Sequence, residues 1–185
     1  ESGAIWLDPV RTSVYRFYQF WIRTDDRDAI PYLKFFTFLE QETIEELTQN
    51  QAQAPEKREA QKALAVAMTD LIHGKDATRE AQRASDILFG GDINGITEPT
   101  FNEVLGEVPT TQVASQLLQQ DGWPLPDALV EAGLATSKGQ ARKDIQGGGA
   151  NINNVREQDP KRYLNAKDLL FGSHILLRKG KYISA

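Results

Sequence analysis

A chain of 185 residues, 40% hydrophobic and 25% charged with a formal net charge of -5, holds enough material for one large or two small globular domains. No stretch approaches the roughly 20 uninterrupted apolar residues of a membrane span, and the opening ESGAIWLDP has neither region of a signal peptide, so no membrane partner is expected. Cysteine is absent, which excludes disulfides and thiolate chemistry and fits an intracellular protein. With His73 and His174 as the two histidines and no H-E-x-x-H pattern, no metal site is expected.

The first two thirds read as helices. In SVYRFYQFWI, Tyr15, Tyr18 and Trp21–Ile22 recur at helical spacing, Thr12 or Ser13 is placed as cap, and Phe17 and Phe20 widen the stripe toward burial on more than one side. TDDRDAIPYLKFFTFL offers Thr24, Asp25 or Asp26 as the next cap and carries Ile30, Leu33, Phe36 and Phe38, with Pro31 predicted in the first turn. QETIEELTQN makes a short amphipathic piece. PEKREAQKALAVAMTDLIHG predicts a helix from near Pro55 to Gly74, with His73 in a last turn favoured by the dipole. ATREAQRASDILFGG gives another, ended by Gly90–Gly91. TEPTFNEVLGE predicts a short helix started by Thr97, and VPTTQVASQLLQQ a further one started by Thr110 or Thr111. DGWPLP reads as a joint. Beyond it come helix PDALVEAG, closed by Gly133, helix SKGQARKDIQ, ended by Gly147–Gly149, strand ANIN, and HILLRKGKYIS, with a hairpin turn at Lys179–Gly180. The fold class is therefore a mainly α N-terminal helical domain (1–107), a linker (108–122) and a small α+β domain (123–185).

Charge is unevenly placed. From Gly133 onward ten basic residues stand against four acidic ones, a net +6, and a polyanion is the natural partner of such a segment. Lys138, Arg142 and Lys143 fall within about two helical turns, in a helix whose start reads as a capping box: Ser137 bonds the N–H of Gln140, and Gln140 reaches back. Cations at a helix start oppose its dipole unless an anionic group docks there. The three glycines follow their helix rather than precede it, so they terminate it and are no phosphate loop. Trp123 and Tyr163 are assigned to core packing.

Helix, basic helix start, strand and Asn turn together resemble the S4 RNA-binding fold, on A-G-L-A-T-S-K-G-Q-A-R-K-D-I and A-N-I-N-N. That family usually has Gly after its turn Asn, where this chain has Asn154. The N-terminal GAIWLDPVRTSVYRFYQFWIRTDDRDAIPYLKFFTFL resembles the segment following the K-M-S-K-S-type signature loop of bacterial tyrosyl-tRNA synthetases. PEKREAQKALAVAMTDLIHG, ASDILFGG and LLFGSHILLRKGKY resemble the rest of those enzymes in the same order, so the likeness covers essentially the whole chain.

The resemblance implies that the chain starts just past the signature, with Glu1-Ser2-Gly3 beyond its last residues. It also implies the tRNA-binding C-terminal portion of a cytoplasmic class I tyrosine–tRNA ligase. The full-length enzyme would use ATP with Mg, bind tRNA(Tyr) and form a homodimer through the catalytic domain. The H-I-G-H-type motif, tyrosine pocket and signature lysines are absent from this sequence, so the chain alone is expected to hold no cofactor and no activity. Carried over residue by residue, the RNA-gripping positions are Ser137, Lys138, Gln140, Arg142, Lys143 and Asn153. Arg178, Lys179 and Lys181 are second-rank candidates, and Asp26 is the candidate anticodon reader, since a carboxylate can accept from guanine's Watson–Crick edge in an unstacked loop. A free-standing S4-type RNA-binding adaptor is the alternative.

Overall fold

Ser13 starts the first helix, α1 (Val14–Ile22), its hydroxyl accepting the N–H of Arg16 at 3.3 Å. The computed structural model describes residues 5–119, 121–180 and 182–185; Glu1-Ser2-Gly3 and Lys181, named above, lie outside the described residues. In α1 the side chains of Tyr15, Phe17, Tyr18 and Trp21 are buried, while Phe20 stays 46% exposed. The two-sided burial expected of this helix therefore reaches Phe17 and stops short of Phe20.

Asp25 caps α2 (Asp26–Phe36), accepting the N–H of Arg27 at 3.0 Å. Pro31 lies inside this helix rather than in its first turn. The bond that would run to the Arg27 carbonyl is absent, on an exposed face where water can satisfy that oxygen. Only Ala29 and Leu33 of α2 are buried; Phe36 and Phe38, expected inside, are exposed. The amphipathic piece becomes α3 (Gln41–Gln53). Pro55–Lys57 form a separate 3-10 turn, and Arg58, at φ +53°, breaks the chain before α4 (Glu59–His73). Gly74, at φ +84°, ends α4 in a conformation that suits a residue without Cβ. α5 (Lys75–Leu88) follows.

The chain divides by compactness into residues 1–85 and 86–185. In the first unit α4 lies against α1, α2 and α3. Phe17, Leu33 and Leu64 are fully buried at its centre, each worth roughly 1.5–3 kcal/mol of transfer free energy.

The second unit takes in the last turn of α5, earlier than the residue-108 start of the expected linker, and that turn is held by side-chain bonds from Asn154 and Arg178 to the Ile87, Leu88 and Gly91 carbonyls. Thr97 caps α6 (Glu98–Leu105) through the N–H of Thr100. The helix predicted after it does not form beyond a 3-10 turn at Ser115–Leu118. Its β-branched start is held extended instead, with the Thr111 N–H on the Ala185 carbonyl and the Ala185 N–H on that of Pro109.

β1 (Trp123–Pro124) leads into α7 (Leu125–Glu131), closed through Gly133 at φ +70°, and then α8 (Lys138–Gln146). β2 (Ala150–Ile152) and β3 (Val155–Glu157) form a hairpin, β4 (Tyr163–Leu164) pairs with β1, and β5 (Leu177–Lys179) and β6 (Tyr182–Ser184) finish the chain. The larger sheet is antiparallel in the order β3-β2-β5-β6. Period-two burial turns Ala150 and Ile152 toward Leu125, Leu129, Ala141 and Ile145 of the two helices. The result is a helical unit followed by a small α+β unit.

His73 closes α4 as the spacing predicts, yet its ring lies edge-on to Phe17 with centroids 4.8 Å apart. Burial pushes its pKa below the ordinary 6.5, so the fold favours the neutral ring and the dipole holds no cation there. The unfolded chain takes up this proton first as pH falls. The contribution is thus complete above about pH 6.5 and lost as pH drops through the folded value. The urea midpoint of the native sequence should fall between about pH 7.5 and 5.5 more than that of His73→Gln; equal falls would contradict the assignment.

Candidate nucleic-acid interface

The basic helix α8 is positioned by its own start. Ser137 accepts the N–H of Gln140 at 3.2 Å, worth about 1 kcal/mol in such caps. The reciprocal half of the predicted capping box does not form. Gln140 turns its amide along the helix to Asp144 Oδ1 at 2.8 Å, and Asp144 Oδ2 meets Lys179 Nζ at 2.8 Å. The Lys179 ammonium, with Gln140 adding to it against the effect of burial, holds the Asp144 carboxyl below its ordinary range. Gln140 therefore supports α8, and Lys179 is tied to that helix.

Lys138 Nζ meets Asp127 Oδ2 of α7 at 2.7 Å and keeps 58% of its side chain exposed. This pair fixes the α7–α8 approach and leaves ammonium surface toward solvent. Arg142 and Lys143 are exposed and make no ion pair among the described residues. Ala141 and Ile145, on the opposite face, are fully buried. The three glycines end the helix: the N–H groups of Gly147, Gly148 and Gly149 bond the carbonyls of Lys143, Ile145 and Asp144 at 2.8–2.9 Å. None of the three remains to cradle a phosphate.

Between β2 and β3 the chain turns in two residues, Asn153 at φ +50° and Asn154 at φ +62°, the signature of a type I′ hairpin. Asn153 is built into the fold. Its Oδ1 accepts the Leu176 N–H at 2.9 Å and its Nδ2 donates to the Asp168 carbonyl at 2.7 Å, leaving one amide hydrogen for any other partner. Asn154 Nδ2 donates to the carbonyls of Ile87 and Gly91, both at 2.9 Å. This explains an asparagine where the turn alone would favour glycine.

Arg178 is placed differently from the hairpin cation expected of it. It is 8% exposed, and its guanidinium donates to the carbonyls of Ile87 at 3.0 Å and Leu88 at 2.7 Å and to Asn154 Oδ1 at 3.2 Å. Burial lowers its pKa. Its donors face a helix C-terminus, the favourable end for a cation, and not solvent. Tyr163 is likewise 46% exposed rather than in the core, whereas Trp123 packs against it. A cavity of about 360 Å³ is bordered by Trp123, Leu164, His174 and Leu177 and has no Lys or Arg in its lining.

In the first unit, Asp26 Oδ1 accepts from Gln61 Nε2 at 2.5 Å and lies 3.6 Å from the Arg58 guanidinium. No described bond reaches Oδ2, and half of the side chain is exposed. Asp25 is the cap, and the Arg27 side chain beside it, with the Arg27 N–H, holds its carboxyl below the ordinary range.

Comparison with known proteins bears on the whole chain. Residues 1–90 match the model of class I tRNA synthetases (W and Y), and residues 100–183 match the tyrosine–tRNA ligase SYY-like C-terminal domain. The chain belongs to the tyrosyl-tRNA synthetase family. It is 51% identical to the tyrosine–tRNA ligase of Opitutus terrae over 97% of its own length and 42% of that protein's. With the tyrosine–tRNA ligase of Geobacillus stearothermophilus it shares 49% identity over 98% of this chain and 42% of the relative. A C-terminally truncated Aspergillus nidulans mitochondrial tyrosyl-tRNA synthetase is 44% identical across 46% of this chain and 25% of that one, with a TM-score of 0.45. The chain thus spans less than half the length of the synthetases it matches.

In this synthetase-family chain the turn asparagines test the geometry above. Asn154→Gly keeps a residue suited to φ +62° but removes bonds to Ile87, Gly91 and Arg178. Leaving those partners short should lower urea stability by about 1–3 kcal/mol; a gain in stability would mean that the turn, not the side chain, selects asparagine.

Proposed function

We propose that this chain is the tRNA-binding portion of a tyrosine–tRNA ligase, which attaches tyrosine to tRNA(Tyr) in protein synthesis at the expense of ATP. Residues 123–185 act as an S4-like module and the helical region up to about residue 107 approaches the anticodon. The observation that carries the reading is α8: a capped helix whose Arg142 and Lys143 stand exposed without acidic partners among the described residues, in a chain of net charge -5. Arg142, Lys143 and the solvent-facing side of Lys138 contact phosphates. Ser137, Gln140 and Asn153 hold the geometry, with the spare amide hydrogen of Asn153 free for a sugar or phosphate oxygen. Phosphate contacts supply affinity and salt dependence rather than base choice.

For base choice, Asp26 is the candidate. Gln61 and Arg58 hold its Oδ1 and leave Oδ2 to accept from an unstacked base. This reading assigns adenylate formation with ATP and Mg, and the homodimer contact, to the catalytic part of the ligase. The exposed aromatics Phe20, Phe35, Phe36 and Phe38 form a surface suited to packing against that part. They and the synthetase match over residues 1–90 weigh against a free-standing adaptor. No described helix is long and apolar enough to cross a membrane, in keeping with work in the cytoplasm.

Replacing Lys138, Arg142 and Lys143 together by Ala should weaken tRNA(Tyr) binding and lower the slope of log K against log salt by about 2–3, at roughly 0.7–0.9 per lost phosphate contact. Unchanged binding would remove α8 from the site. The chain alone should give no tyrosine-dependent ATP–pyrophosphate exchange; detectable exchange would contradict the division of labour.

A further inference from the structure

Four of the ten cations of the basic C-terminal segment are tied into the fold: Lys138 is on Asp127, Lys179 on Asp144, Arg162 on Glu157 and Asp168, and Arg178 on backbone carbonyls. Arg156, in β3, is exposed and makes no ion pair among the described residues, as holds for Lys161 and Lys167 too, and it is not one of the positions drawn from the sequence. Its place is nevertheless well defined. Asn151 and Arg156 are cross-strand partners, so Arg156 leaves the sheet on the face away from Ala150 and Ile152.

Its guanidinium lies against Gly148. A Cβ built on that glycine would come 3.2 Å from Nε, 3.3 Å from Cζ and 3.1 Å from Gln158 Nε2. Gly148 is at φ +71°, a backbone conformation that disfavours a larger residue, and a Cβ there would press the Arg156 and Gln158 side chains back by a few tenths of an ångström. A flat guanidinium and a carboxamide thus sit together over the turn that ends α8, where Gly147 bonds the carbonyl of Lys143.

We propose that Arg156, seated on Gly148 with Gln158 beside it, is a second phosphate-gripping station that carries the RNA contact from α8 onto the β2–β3 hairpin. The inference rests on the tRNA-binding reading above. No cation is needed as a helix cap at this end of α8, because the carbonyls of Lys143, Asp144 and Ile145 already receive the three glycine N–H groups. Neighbouring acids do not claim Arg156 either, because Asp144 is on Lys179 and Glu157 is on Arg162. What remains is a planar donor fork with its N–H edge open, the geometry that binds a phosphodiester through two oxygens. Since the glycine N–H groups are bonded, the ligand's donors here come from side chains.

The experiment is titration of tRNA(Tyr) into the full chain at several salt concentrations, comparing the native sequence with Arg156→Gln, Arg156→Lys and the pair Arg142→Gln with Lys143→Gln. Arg156→Gln should weaken binding several-fold and lower the salt slope by about 0.7–0.9. Its urea midpoint should hold, because no described hydrogen bond or ion pair is lost. Arg156→Lys should keep the slope and bind more weakly than the native chain. If the paired α8 variant weakens binding while Arg156→Gln matches the native chain in affinity or slope, this station is wrong and the tRNA-binding reading stands. If both variants bind as the native chain does, the α8 interface fails, and this proposal with it.

Discussion

Two side-chain amides on one tight turn organise the second unit. Asn153 brackets Leu176 and Asp168, and Asn154 bonds the Ile87 and Gly91 carbonyls while accepting from Arg178, which donates to Ile87 and Leu88. Each of these groups is a backbone or guanidinium partner that would cost about 1–3 kcal/mol if buried and left unpaired. The left-handed conformations of both residues are tolerated because asparagine accepts them more readily than bulkier side chains. With the hairpin fixed, β2 presents Ala150 and Ile152 to α7 and α8, and α8 is held with its basic face outward.

The net charge hides how the cations are divided. Some hold the fold together: Lys138 ties α8 to α7, Lys179 ties β5 to α8, and Arg178 satisfies a helix end. Others, Arg142, Lys143 and Arg156, stay exposed with no acid paired to them among the described residues. An unpaired surface cation contributes little to stability, but it is already available to a polyanion without first breaking an ion pair. The charge of the α8 carboxylate Asp144 is balanced by Lys179, with Gln140 hydrogen-bonded to its other oxygen, which offsets its local repulsion to phosphate.

Much of this was legible in the sequence where local chemistry decides. Ser13, Asp25, Thr97 and Ser137 all cap as hydroxyl and carboxylate residues at helix starts do, and Gly74 and Gly133 mark helix ends. The losses came where a partner outside the expected local motif competes. Gln140 prefers Asp144 to its own N-cap. The segment from Thr110 pairs with the chain's last residue instead of coiling. Arg178 looked like a hairpin cation because its carbonyl partners lie some 90 positions away in sequence. Arg156 was overlooked because its seat, Gly148, becomes a neighbour only through the hairpin.

The proposal that RNA lies on the exposed face of α8 and the adjoining hairpin is open to an amide-resonance map of the isotopically labelled chain during titration with tRNA(Tyr). Lys138–Gln146 and the β2–β3 residues should shift together and saturate together, with the shifts reversed by added salt. Shifts confined to other parts of the chain, with α8 silent at saturation, would contradict it.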